Sequence, residues 1–162
     1  MSDKPEFVYV TYISTTPEKL WSALLDGELT KLYWGVHKNV SDWQVGSRWT
    51  HQDYETGAVH VEGEVLEFAP PHRLKLTWKS SGAGGGGMGG DSPSQVTVVI
   101  EPFMGAVKLT LVHDHMERDS AMWKGVKSLR LFDDYGWILR KESREQACAR
   151  FDRNDTFPIP AV

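Results

Sequence analysis

Apolar residues recur at helical spacing between residues 119 and 150. Steps of three and four residues place these side chains on one stripe of a helix. The stripe comprises Met122, Val126, Leu129, Phe132, Tyr135, Ile138 and Leu139. Because an isolated amphipathic helix is marginal in water, the stripe must be packed against another layer. The pattern therefore predicts a long C-terminal helix that covers one face of the structure before it.

The chain before this helix mostly alternates apolar and polar residues, which is typical of strands with one face exposed to water. The predicted strands cover residues 7–14, 48–53, 59–65, 74–78, 96–100 and 107–113. Leu66 and Phe68 break the alternation of the third strand, and we expect a bulge or bend there. The alternation also places Glu62 and Glu64 on a solvated face. These strands form a meander of antiparallel neighbours.

Two short helices are predicted after the first strand. Residues 16–18 combine a capping hydroxyl, a proline at the first helical position and an acid in the first turn. The buried side of the first helix is predicted to carry Leu20, Trp21 and Leu24. The second helix is expected over residues 28–34 and ends at Gly35, a favourable left-handed cap. Helices that follow a strand and precede a meander indicate an α+β fold class.

Length predicts a single domain, with a disordered N-terminus at residues 1–5, one domain over residues 6–151 and a loose tail at residues 152–162. The glycine-rich segment 80–93 is interpreted as a flexible hairpin loop. It contains a G-x-G-x-x-G match at residues 84–89, but such a match is trivial in a glycine run that no helix follows. No cofactor is therefore predicted.

Composition excludes several classes of protein. The net charge is −4 and the basic residues are dispersed, whereas nucleic-acid binding requires clustered Lys and Arg, so no nucleic-acid partner is expected. No apolar run approaches the roughly 18 residues of a membrane span, and the polar N-terminus lacks the apolar core of a signal peptide. Cys148 is the only cysteine, which favours a reducing cytoplasm, and its mixed-charge surroundings indicate an inert thiol.

The order of several short motifs indicates a family. The motifs are Thr16-Pro17-Glu18-Lys19-Leu20-Trp21, Tyr33-Trp34-Gly35, Asp42-Trp43-Gln44-Val45-Gly46, Gly63-Glu64-Val65-Leu66-Glu67, Pro70-Pro71-His72-Arg73-Leu74 and Val107-Lys108-Leu109-Thr110-Leu111. In this order, over residues 6–118, they resemble the AHSA-type proteins, homologues of the activator of heat-shock-protein-90 ATPase within the START-like (SRPBCC) superfamily. The resemblance implies a helix-grip fold, in which a curved antiparallel sheet wraps around a long C-terminal helix and leaves a cavity between them.

One departure from the family pattern concerns that helix. The Gly136-Trp137 pair arrives late, after Phe132-Asp133-Asp134. The closing helix is therefore expected either to kink near Gly136 or to lie in a different register on the sheet. Since this helix covers the cavity, the shape of the pocket is the feature that the family resemblance predicts least well.

Tryptophan is the unusual component, with seven residues in a small domain. On the helix-grip fold, the residues expected to line a ligand cavity are Trp34, Trp49, Trp78, His113, Trp123 and Trp137. The alternative is that each ring is ordinary core, packed at native density. His113 ends an apolar series and is the candidate general base or ligand hydrogen-bonding group; its alternative is a satisfied core histidine. His115 follows His113 by two residues, so both would share a face of a strand. Two ligands are too few for a zinc site, so no metal is predicted.

Three functions remain open at this point. The preferred one is a cytoplasmic module that binds a small hydrophobic molecule between the sheet and the helix. The second is an enzyme on the same scaffold, since the resemblance extends to polyketide cyclases and aromatases, with His113 as base. The third is a chaperone as partner, with stimulation of its ATPase, as the family name implies. Oligomeric state stays open, with a homodimer among the alternatives.

Overall fold

The computed structural model describes residues 4–33, 37–81 and 92–127, which form one seven-stranded sheet and three short helices. In chain order the elements are β1 (Phe7–Ile13), α1 (Pro17–Leu25), α2 (Gly27–Tyr33), β2 (His37–Ser41), β3 (Arg48–Asp53), β4 (Val59–Ala69), β5 (Arg73–Ser80), β6 (Ser94–Phe103), β7 (Ala106–Asp114) and α3 (Ala121–Lys127).

The sheet has the order β1-β7-β6-β5-β4-β3-β2, and every pair of neighbours is antiparallel. After β1, helices α1 and α2 carry the chain to the opposite edge of the sheet, where β2 lies. The remaining strands then return one by one until β7 pairs with β1. This topology confirms the predicted α+β class, the antiparallel meander and the two helices after the first strand.

One face of the sheet, here called the inner face, carries the core. The register aligns its side chains across all the central strands, because residues directly opposite in an antiparallel pair share a face. Its buried members include Trp49, Val65, Leu76, Trp78, Val96, Val98, Leu109, Leu111 and His113. On the other face, Val8, Val10 and Tyr12 of β1 are about half exposed. The layer that holds the predicted site is therefore the inner face.

The predicted irregularity in β4 is confirmed as a bulge at Leu66. Val65 is opposite Leu76, but Phe68 is opposite Leu74, so β4 contains one residue more than β5 over this interval. Without the extra residue, Val65 and Phe68 would point to opposite faces, because they are three positions apart. The bulge places both on the inner face.

Helix α1 closes one end of the inner face. Its N-cap is Thr16, whose side chain accepts a hydrogen bond from the Lys19 amide, and Pro17 opens the helix as predicted. Leu20 is fully buried, and the ring of Trp21 lies 5.3 Å from that of Phe68. Leu24 was predicted to be buried as well, but it is only half-buried.

The sequence pattern did not predict β2. This strand pairs with β3, and Asn39 and Ser41 lie opposite His51 and Trp49. Its sequence is polar at nearly every position, so it has no alternation for a hydrophobicity pattern to detect. Helix α2 supports the strand instead, because the buried Thr30 hydroxyl accepts the Asn39 amide at 2.9 Å.

Of the predicted long C-terminal helix, the described residues include only α3, Ala121–Lys127. Ser120 caps α3 by accepting the Trp123 amide at 3.0 Å, and Met122 is buried against the core. The rest of the predicted helix, Gly136 and the tail at residues 152–162 lie outside the described residues. Among the residues described, no helix combines the length and apolar character needed to cross a membrane.

Candidate functional site

Three of the predicted site residues lie next to one another on the inner face. The ring centroids of Trp49 and Trp78 are 5.2 Å apart, and those of Trp78 and His113 are 5.9 Å apart. All three side chains are buried, with His113 only 2% exposed. They come from β3, β5 and β7, which alternate with β4 and β6 in the sheet. All three side chains lie on the inner face. The strands thus assemble an aromatic surface that contains one titratable group.

His113 is paired with Ser94, which was not among the predicted site residues. Ser94 Oγ lies 2.7 Å from His113 Nε2 and donates to the carbonyl oxygen of Trp78 at 3.2 Å. A hydroxyl has a single proton, so Nε2 of His113 carries the proton of the shorter bond and donates it to Ser94. The signal was present in the sequence, because Ser94 begins the alternating series that continues with Val96 and Val98.

The environment keeps His113 uncharged at neutral pH. Burial lowers the pKa of His113 to about 4, against a small opposing effect of Asp114, which raises it. A base with so low a pKa has little driving force to remove a proton. The pair is therefore better suited to hydrogen-bond a neutral polar group than to serve as a general base.

Trp49 is fixed by a hydrogen bond that interrupts the sheet ladder. Its indole Nε1 donates to the carbonyl oxygen of Thr77 at 2.8 Å, while the Glu64 amide donates to Thr77 Oγ1 at 2.7 Å. The regular pairing of β4 with β5 stops after Glu62 and resumes at Val65. Between these residues, the side chains of Trp49 and Thr77 make the hydrogen bonds. Gly63 makes the arrangement sterically feasible, since a Cβ atom there would lie only 2.6 Å from Trp49 Nε1.

The other predicted residues are not brought into this group. Trp123 lies in α3 and is half-buried against the core. Trp34 and Trp137 fall outside the described residues. His115 turns away from His113, because β7 ends at Asp114; the His115 ring is half exposed and its Nδ1 lies 2.6 Å from Asp114 Oδ1. Across the described ranges 4–33, 37–81 and 92–127, no three His, Cys, Asp or Glu side chains are arranged to hold a metal ion.

A second group of polar rings lies at the β2–β4 end of the inner face, and no pattern in the sequence indicated it. The ring of His37 stacks on His51, with centroids 4.9 Å apart, and meets the edge of His60 at 4.4 Å. The alternation that predicts a solvated face for Glu62 would place His60 on the same face. Instead, a register shift leaves His60 as the extra residue between Val59 and Val61, and such a bulge turns its side chain toward its neighbour's face. These three residues are here called the histidine cluster.

Asn39 fixes the orientation of the buried ring in the histidine cluster. Its Nδ2 donates to the carbonyl oxygen of Leu24 at 3.1 Å, so its Oδ1 is the atom that faces His51 Nδ1 at 2.9 Å. Because that oxygen can only accept, Nδ1 of His51 carries a proton and Nε2 carries a lone pair. Burial, with further contributions from His37 and His60, lowers the pKa of His51 to about 3. The ring is therefore neutral at physiological pH.

Comparison with known proteins adds a family to this geometry. A family model described as activator of Hsp90 ATPase homolog 1-like protein matches residues 14–128. The chain belongs to this family. The match covers all three described helices and every described strand except β1, and it confirms the resemblance inferred from the motifs. No curated protein matches the chain in sequence.

Solved structures of similar fold include a protein named MLL2253 from Mesorhizobium loti, with 27% identity and a TM-score of 0.64 over 93% of this chain and 99% of that one. An HSP90 activator from Plasmodium falciparum has 23% identity and a TM-score of 0.59, covering 78% of this chain and 86% of that one. CalU16 from Micromonospora echinospora has 17% identity and a TM-score of 0.59, covering 93% and 85%. The fold of this AHSA1-type chain is thus a helix-grip fold, as predicted.

Replacing Ser94 with alanine is expected to destabilise this AHSA1-type domain by about 1–3 kcal/mol, because His113 Nε2 and the Trp78 carbonyl both lose a buried partner. Urea unfolding at neutral pH measures the change. Ser92→Ala is the matched control, since Ser92 is exposed two residues away, and its effect should stay within about 0.5 kcal/mol. Equal effects of the two substitutions would show that the buried pair contributes nothing.

Proposed function

We propose that this chain binds a small hydrophobic molecule on the inner face of its sheet, in the cytoplasm. The observation that carries the proposal is the contact series Trp49–Trp78–His113, in which two indoles adjoin a buried but neutral polar pair. Binding sites for small molecules are mostly apolar and aromatic, with a few polar groups that fix orientation. The family and its helix-grip fold support the same assignment.

The alternative is that these rings only fill the core, and a fluorescence titration separates the two. The probe is N-phenyl-1-naphthylamine, which is uncharged and emits strongly in apolar surroundings. Wild type should bind it saturably, and Trp78→Phe should weaken binding about tenfold, because the smaller ring leaves part of the probe surface uncovered. Absence of saturable binding by the folded wild type would refute the proposal.

Trp21→Phe provides the matched control for this titration. Trp21 packs on Phe68, which lies opposite Leu74 of β5. Trp78 is four residues beyond Leu74 on the same strand, so their Cα atoms are roughly 13 Å apart. The same change of side chain is thus made in the core but away from the proposed site. It should lower stability without changing the dissociation constant of the probe. If both variants bind the probe equally weakly, the loss of affinity results from general destabilisation of the fold and not from a contact between Trp78 and the probe.

A chaperone partner is the second candidate function, and it is supported by the description of the family and by the Plasmodium falciparum HSP90 activator of similar fold. Adding the chain to an Hsp90 ATPase assay tests it. A saturable increase in ATP hydrolysis would support this role, and no change at saturating concentration would remove it.

An enzymatic role for His113 is the third candidate. The position of His113 beside the Trp78 ring favours it, while the low pKa of His113 opposes it. If turnover of a polyketide-like substrate is found, His113→Gln should abolish it while the variant remains folded. Unchanged turnover in that variant would exclude His113 as base.

A further inference from the structure

We propose that strand β1 is a dimerisation edge, along which a second copy of this chain pairs its own β1 in the antiparallel direction and joins two seven-stranded sheets into one. The proposal goes beyond the proposed function, because it assigns a partner to the edge of the sheet and not to its inner face. Three features of β1 carry it: the direction of its backbone groups, the exposure of its apolar side chains and its lack of charge.

The backbone groups of Val8, Val10 and Tyr12 point away from the sheet. The Ile100 amide donates to the His72 carbonyl at 2.8 Å, so the even-numbered residues of β6 bond to β5 and the odd-numbered ones bond to β7. The registers continue this alternation, and the odd-numbered residues of β7 bond to the odd-numbered residues of β1. The three even-numbered residues of β1 therefore face the edge, where no further strand of the described residues pairs with β1.

The side chains of the same residues form an apolar surface. Val8, Val10 and Tyr12 are about half exposed on the face opposite the inner face. The ring of Tyr12 lies 4.9 Å from that of Phe103, and Met104 is 92% exposed in the adjoining turn. The apolar surface thus runs along the edge and continues onto the β6–β7 hairpin.

Strand β1 also lacks the features that normally prevent pairing with another chain. Exposed edge strands are usually protected by charges, prolines, bulges or a covering element. Residues Phe7–Ile13 include no charged residue, proline or glycine, and they pair with β7 without a register shift. At the opposite edge of the sheet, helix α2 covers β2, since Thr30 accepts the Asn39 amide. One edge is therefore closed within the described residues, and β1 remains open to a partner.

A second copy fits this edge because β1 is complementary to itself about a two-fold axis. With Val10 of the two copies opposite each other, Val8 of each copy lies opposite Tyr12 of the other. The outward-facing residues then meet, and each pair exchanges its backbone hydrogen bonds. A β-branched residue opposite an aromatic one is a favourable cross-strand pair. Glu6, the one charged residue of segment 6–14, lies opposite Ser14, so no like charges meet.

Sedimentation velocity of the full chain over a range of concentrations tests the proposal. The wild type should shift from a species of 18.3 kDa to one of twice that mass as the concentration rises. Val10→Lys should raise the dissociation constant of the dimer about 100-fold, because two ammonium groups would meet at the axis. Val40→Lys is the matched control, since Val40 is similarly exposed on β2 at the opposite edge, and it should leave the constant unchanged.

A mixture of Val10→Lys with Val10→Glu tests the register, because opposite charges would then meet at the axis and dimers should form again. In the wild type, amide exchange at Val8, Val10 and Tyr12 should slow as the concentration rises, a measurement that needs no variant. A wild type that stays monomeric would overturn the proposal and leave the edge to an extended segment of another protein. A dimer that Val10→Lys leaves intact, or assembly beyond the dimer, would overturn it as well.

Discussion

Lowering the pH from 6.5 to 4.5 is expected to destabilise the folded chain by about 5 kcal/mol, a large part of the stability of a domain this size. The cause is the pair of buried histidines, His51 and His113, whose pKa values fall from 6.5 to about 3 and about 4. In the unfolded chain both rings accept a proton near pH 6.5. In the folded chain they do not, so acid favours unfolding.

The direction follows from proton counting. Above pH 6.5 both states are neutral at these positions and the histidines have no effect on stability. As the pH falls below 6.5 the unfolded state binds more protons, and the free energy of unfolding decreases until each folded-state pKa is reached. Each ring contributes about 2–3 kcal/mol by pH 4.5. The pKa values of Asp53 and Glu67 are lowered mainly by hydrogen bonds from Thr56 and Arg73, and these carboxylates act in the same direction only at the acid end of this window.

Urea unfolding at several pH values between 7 and 4.5 measures the slope. His51→Gln and His113→Gln should each remove about half of the pH dependence, whatever they do to stability at pH 7. His115→Gln is the control, because that ring is half exposed, and it should leave the slope unchanged. A slope that survives both buried substitutions would contradict the assignment.

The antiparallel meander could be predicted from the sequence because apolar and polar residues alternate in most strands. The bulge at Leu66 could also be predicted, because Val65 and Phe68 are three residues apart and share the inner face only if one extra residue lies between them. Strand β2 was not, because its inner-face positions are His37, Asn39 and Ser41, and a polar inner face looks like a loop to any pattern based on hydrophobicity. Pairing with β3 and support from α2 form this strand, and both are tertiary effects.

The candidate site was predicted in part for a similar reason. Trp49, Trp78 and His113 each stand at an alternating position of a recognisable strand, so their common face followed from strand pairing. The histidine cluster comes from three separate strands, one of them unrecognised, and His60 joins it only through a bulge. A register shift of one residue is invisible in composition and spacing, yet it decides which face a side chain occupies.

Gly63→Ala is expected to destabilise the chain by about 3 kcal/mol and to disturb the environment of Trp49. A Cβ atom at this position would overlap the carbonyl oxygen of Thr77 and lie 2.6 Å from Trp49 Nε1. The nearest atom belongs to the backbone of β5, so relief requires movement of a strand and not rotation of a side chain. The bond between Trp49 and Thr77 is the first interaction to be lost.

Two further variants separate this steric effect from its alternatives. Gly105→Ala is the matched control, because Gly105 has a φ of +81° but nothing within 4 Å of an added Cβ, so only backbone strain of about 1 kcal/mol is expected. Trp49→Phe alone should cost about 1–3 kcal/mol, since the Thr77 carbonyl loses its donor. Adding Trp49→Phe to Gly63→Ala should not restore stability, because the overlap with the carbonyl persists. Recovery in that double variant would show that the indole, not the strand backbone, limits residue 63 to glycine.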